Sequence, residues 1–128
     1  MIIAGLVFAA LAAAIHVYIF FLESIAWAGP AARRTFGTDE KHIPITKGLA
    51  FNQGFYNLFL SIEIVIGIVV LVLGHEAVGA TLVFVGTGSM VAAGLVLLLS
   101  DRSKRRAALI QLTPPLIAIV LLIIGLTS

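Results

Sequence analysis

The chain contains no cysteine, so disulfides, thiolate nucleophiles and cysteine-based metal sites are excluded, and the redox compartment is left unmarked. It is also short of charge. Asp, Glu, Lys and Arg make up 11% of its 128 residues, against roughly 25% in ordinary soluble domains. With 61% of residues hydrophobic, a soluble fold of this length could not hide its apolar surface. The lipid bilayer is therefore the expected solvent. No internal repeat or low-complexity tract is visible.

What the sequence has in place of charge is four apolar runs, at about 2–27, 49–74, 77–99 and 107–127. Each is near or above the ~20 residues that a membrane-spanning helix needs. The pattern predicts an all-α fold, a polytopic four-transmembrane-helix bundle forming a single domain over residues 1–128. The first run could be mistaken for a signal peptide. It has no basic leading segment, exceeds the usual length, and carries His16 and Glu23, so it is expected to be a retained helix.

The basic residues set the expected orientation. Arg33, Arg34, Lys41 and Lys47 lie in the first connector, and Arg102, Lys104, Arg105 and Arg106 in the third; these are all eight Lys and Arg residues. The positive-inside rule places connectors 28–48 and 100–106 in the cytoplasm and both termini outside, as in an N-out/C-out multi-pass protein of the cell membrane. Anionic lipids are the expected partners of the basic loops. Thr46 and Ser103 are candidate N-caps for the second and fourth spans, and Trp27 a candidate interfacial anchor. Small residues mark expected packing faces: Gly5, Ala9 and Ala13 in the first span, Gly88–Ala92 and Ser89–Ala93 in the third.

Against this apolar background one block stands out. Phe51-Asn52-Gln53-Gly54-Phe55-Tyr56-Asn57 puts three amides and a phenol at the start of a span, where hydrocarbon offers them no partners. At ~1.5 Å rise per residue, Glu23 and Gln111 should lie at the same depth, each roughly one turn inside the basic end. Glu23, Asn52, Gln53, Tyr56, Asn57 and Gln111 thus form a candidate ligand-binding pocket contributed by three spans. His16 and Glu63 lie deeper and form a candidate midplane pair. Asn52, Tyr56 and Glu63 share one arc of their helix, Gln53 and Asn57 the adjoining one, and His16 and Glu23 are seven apart on a common face. Pro114 and Pro115 lack donors, and a kink there would free carbonyls beside Gln111.

The runs His16-Val-Tyr-Ile-Phe-Phe-Leu-Glu23, Asn52-Gln53-Gly-Phe-Tyr56-Asn57 and Gln111-Leu-Thr-Pro114 together resemble the "domain of unknown function 1304" family across essentially the whole chain. The resemblance implies a compact four-helix membrane domain, and implies no particular activity.

No metal is expected, because His16 and Glu23 would stand ~10.5 Å apart along a regular helix, too far to share an ion, and His16 with Glu63 supplies too few ligands. No cofactor is implied. Ser61, Thr87 and Ser89 have no evident His partner for nucleophilic catalysis, and no basic soluble domain or stacking platform suits nucleic acid. Three function classes remain. One is binding or transport of a small polar or cationic solute or a lipid headgroup, for which a narrow four-helix bundle would call for a homodimer to form a path. The second is an accessory or assembly subunit whose amides are interhelical glue. The third is a membrane enzyme using Glu23, or His16 with Glu63, as acid or base on a lipid-soluble substrate.

Overall fold

The computed structural model describes residues 1–128, and 90% of them are helical, with no strand. Helix α1, Ile2–Phe20, runs directly into a π-helical segment, Phe21–Ile25. Then follow α2 (Pro30–Phe36), α3 (Ile43–Val72), α4 (Glu76–Ser100) and α5 (Arg105–Thr127). Short 3₁₀ turns at Glu40–His42 and Arg102–Lys104 precede α3 and α5. Four of these stretches are long and apolar enough to cross a membrane: 2–25, 40–72, 76–100 and 102–127.

The first connector carries more structure than a polar loop. Pro30 opens α2, where its missing N–H costs nothing and its fixed φ suits a first turn. Gly37 closes that helix in the left-handed conformation, φ 66°, donating its N–H to Arg33 O at 2.9 Å. Pro44 likewise sits in the first turn of α3, so this helix begins at Ile43 and not near residue 49. At 30 residues it is about 45 Å long, well beyond the ~30 Å hydrocarbon core, so its first turns project past the core at the basic end.

Two expected caps are corrected by these boundaries. Thr46 lies inside α3; its hydroxyl donates to His42 O at 2.8 Å and accepts from Trp27 Nε1 at 3.0 Å. Ser103 is likewise capped, not capping: the Asp101 carboxylate accepts from Ser103 N at 2.9 Å and from its hydroxyl.

The long helices form a ring in the order α1, α3, α4, α5, with each packed on its two neighbours and α1 lying diagonally across from α4. Small residues set the close contacts. Gly5, Ala9 and Ala13 are buried on α1 as expected. On α4 the packing face is Gly79, Val83, Gly86, Met90 and Gly94, while Gly88 meets nothing and Ser89 and Ala92 are exposed. The expected Gly88–Ala92 face is therefore displaced by about half a turn. The core joins Ala9, Ala12 and Ala13 to Ile64, Val83, Met90, Ala118 and Leu122. With lipid outside as apolar as these side chains, close packing and interhelical polar contacts hold the ring together. Its exterior is a belt of exposed Ile, Leu, Val and Phe, as a bilayer requires.

Candidate functional site

The π-helical segment places the carboxylate. Ala26 N–H reaches back five residues to Phe21 O at 2.9 Å, inserting an extra residue into the turn that holds Glu23. Such π bulges are rare and recur at functional positions. Two contacts fasten this segment to α3. Ser24 Oγ donates to Phe51 O at 2.8 Å, and the bare Cα of Gly54 lets the two backbones approach. A Cβ at residue 54 would collide with Ser24 Oγ and lie 3.1 Å from both Glu23 Cβ and Phe20 O.

This approach brings Asn57 to Glu23: Nδ2 donates to Oε2 at 2.7 Å. It is the one bond between two side chains among the candidate pocket residues; Asn57 Nδ2 also donates to Gln53 O at 3.3 Å. The Glu23 Oε1 atom and the amide groups of Gln53, Gln111 and Asn52 make no intramolecular bond, and no buried side-chain polar atom is orphaned. The free groups border space. Glu23, Gln53, Asn57 and Gln111 line one cavity of about 290 Å³, with His16 at its inner end and Met90 and Leu97 on the α4 wall. A second cavity, about 430 Å³, lies toward the first connector and includes Asn52, Thr38 and Thr46. Glu23, Trp27, Gln53 and Lys104 border both. Trp27 is held at this divide by Thr46 and by the Phe36 ring, 5.5 Å away between centroids.

The structure thus gathers Glu23, Gln53, Asn57, Gln111 and His16, and puts Asn52 in the neighbouring cavity. Tyr56 stands apart: it is 60% exposed and borders neither space. Glu63 also borders neither and is half-buried. The expected midplane pair does not form. His16, 3% exposed, donates from Nδ1 to Ala12 O of its own helix at 2.9 Å, and no bond or ion pair joins it to Glu63. The reason is rotation. The α3 arc that borders the cavity carries Gln53, Asn57 and Leu60, while on the neighbouring arc Asn52 and Tyr56 are exposed and Glu63, half-buried, lies off the cavity. Nearer the midplane, Ser61 supplies the interhelical polar contact, its hydroxyl lying 3.0 Å from Ala13 O and 2.9 Å from Asn57 O.

One site residue was not singled out from the sequence. Lys104 extends from the third connector to both cavities, with Asp101 as its ion-pair partner at 3.4 Å. Its place among four clustered basic residues hid it, although a Lys three residues after an Asp beside the predicted fourth span was the available signal. The Asp101 carboxyl is held below the usual carboxylate range, chiefly by hydrogen bonds from Ser103, with the Lys104 ammonium adding to them.

Pro114 and Pro115 are buried, and α5 passes through them as one helix. No three His, Asp or Glu side chains come together as metal ligands. Chemically, the cavity offers one carboxyl group, several amide donors and acceptors and one ammonium, in a largely apolar frame. No curated protein and no solved structure matches the chain. The family described as "Protein of unknown function (DUF1304)" matches residues 10–123, and the chain belongs to it.

Proposed function

We propose that this protein binds a small polar or cationic solute, or a lipid headgroup, in the cavity bordered by Glu23, Gln53, Asn57 and Gln111, and serves as its membrane receptor or carrier. The observation that carries the reading is the mismatch between polar groups and their partners. Interhelical glue would exhaust its amides in one another. Here one pair, Asn57 with Glu23, is bonded, while the other groups border about 290 Å³ of space. That volume is at the small end of ligand sites, roughly 300 Å³ and upward, and suits a solute of few heavy atoms. A cation fits beside Glu23, whose Oε1 has no intramolecular partner. Lys104 at the border favours a solute that also carries an anionic group. In this proposal the basic connectors 28–48 and 100–106 face the cytoplasm of the cell membrane, so the cavity opens toward that leaflet. Transport, as opposed to binding, would enlist a second copy of the chain.

The test uses the purified protein in detergent, with ethanolamine, choline and phosphoethanolamine as probes. At least one should raise the melting temperature of the wild type. Glu23→Gln keeps an acceptor for Asn57 and should fold within about 1 kcal/mol of wild type, yet lose that response. Losing the charge opposite a buried cation typically costs ~3–5 kcal/mol, on the order of a hundredfold or more in affinity. Glu23→Ala should lose both stability and response. A Glu23→Gln protein that responds like the wild type would eliminate the charge-based site. If none of the three probes stabilises the wild type, the cationic-ligand assignment is overturned.

A further inference from the structure

A different cluster of charge lies outside this cavity, at the junction of α2 and α5. Helix α2 is short, but it is pinned against the bundle by Ala32, 1% exposed, and by Phe36 against Trp27. This docking sets Arg34 and Thr35 beside the first turns of α5. Arg34, Thr35, Arg106, Ala107 and Ile110 together line a cleft of about 270 Å³. An adjoining cleft of about 310 Å³, lined by Pro30, Arg33, Arg34 and Thr38, shares Arg34.

The electrostatics of this junction are unbalanced. Neither Arg34 nor Arg106 belongs to any ion pair; the three in the molecule are Arg33–Glu40, Lys41–Asp39 and Lys104–Asp101. Arg105 and Arg106 stand in the first turn of α5, where the helix dipole disfavours cations. Two guanidiniums converge on one cleft with no carboxylate to neutralise them. Guanidinium forks match the oxygens of a phosphate in bidentate geometry. Below them the lining is apolar: Ala107 follows Arg106 directly, and the exposed Ile110 lies one turn further into the span. A charged rim over an apolar floor, at the end of a membrane-spanning helix, is the shape of a site for an amphiphile.

The geometry points to a stoichiometric anionic-phospholipid site at this junction, with the lipid phosphate held between Arg34 and Arg106 and its acyl chains descending along Ile110. The ligand class is a phosphodiester or phosphomonoester lipid bearing net negative charge. The site depends on α2 being held against the bundle beside the start of α5, and is independent of what the Glu23 cavity binds.

The experiment is native mass spectrometry of the delipidated full chain in detergent, titrated with phosphatidylglycerol, phosphatidylcholine or inorganic phosphate. Wild type should retain one phosphatidylglycerol in preference to phosphatidylcholine. A direct hydrogen bond to a charged group contributes roughly tenfold, so Arg34→Gln with Arg106→Gln should weaken the first bound lipid by about 100-fold. The matched control, Arg102→Gln with Arg105→Gln, removes the same charge from residues outside the cleft and should cost less than fivefold. Arg34→Lys with Arg106→Lys keeps the charge, tolerates any folding requirement for it, and should still weaken binding because the fork is lost. Equal losses in the cleft pair and the control pair would reduce the effect to diffuse attraction and overturn the site. Lysine variants binding at wild-type strength would overturn the bidentate geometry. Inorganic phosphate occupying the protein as well as phosphatidylglycerol does would overturn the lipid assignment.

Discussion

Gly54→Ala should disassemble the site through a single methyl group. The added Cβ would collide with Ser24 Oγ and press on Glu23 Cβ and Phe20 O, each 3.1 Å away. The last of these is backbone, and Ser24 is committed to Phe51 O at 2.8 Å, so neither neighbour can yield without moving the π-helical segment off α3. Overpacking of this kind costs ~1–3 kcal/mol. Separating the helices also weakens the Ser24–Phe51 and Glu23–Asn57 bonds, at ~0.6 kcal/mol each by the average for interhelical polar contacts. The helix propensity gained on replacing Gly by Ala offsets at most ~1 kcal/mol. The net expectation is a loss of about 1–3 kcal/mol. Gly48→Ala and Gly88→Ala are the controls, because a Cβ at either position meets nothing within 4 Å. Both should be neutral or slightly stabilising. Denaturant titration of the three variants in one detergent, followed by circular dichroism, measures the differences directly. Gly54→Ala matching either control would refute the close-approach argument, and with it the account of how Glu23 is positioned.

The polar block should divide by rotation: Asn57→Leu loses the bond to Glu23 and should cost ~0.6 kcal/mol or somewhat more, whereas exposed, unbonded Asn52→Leu should fall within error in the same titration. Comparable losses in both would contradict the assigned faces of α3. Cysteines at Ser128 and Ser103 should label with an impermeant maleimide from opposite sides of intact cells, and same-side labelling would overturn the proposed orientation. Asp101 provides a pH signature. Its folded carboxyl titrates below the usual range, so its contribution to the third connector is complete above that range and is lost as pH falls through the lowered folded value. Side-chain NMR titration should find Asp101 still ionised at a pH where ordinary carboxyls are half protonated, and Ser103→Ala should bring it back toward them.

The four spans and the basic end were legible in the sequence because both are local properties. A long apolar run is recognisable without knowing its neighbours, and all eight basic residues fall in two short connectors. Depth was legible too, since a rise of ~1.5 Å per residue puts Glu23, the Asn52–Asn57 block and Gln111 near one level. Rotation was not. Stepping by 100° fixes which residues share an arc but not which arc meets the bundle, and on α3 two adjoining arcs both carry polar groups. Tertiary packing decided for Gln53 and Asn57 and against Tyr56 and Glu63, because the side that includes Gly54, Ser61 and Ile64 is the one narrow enough for α1 and α4 to approach. The π-helical turn has the same origin. Its extra residue is held by Ser24 reaching Phe51 and by the absence of a side chain at Gly54, contacts 27 and more residues distant in the chain. Lys104 and the Arg34–Arg106 cleft likewise exist only once the connectors fold against the ends of the spans. Composition and periodicity determined what enters the membrane and how deep each polar group lies. The ring order of the helices determined which of those groups face one another.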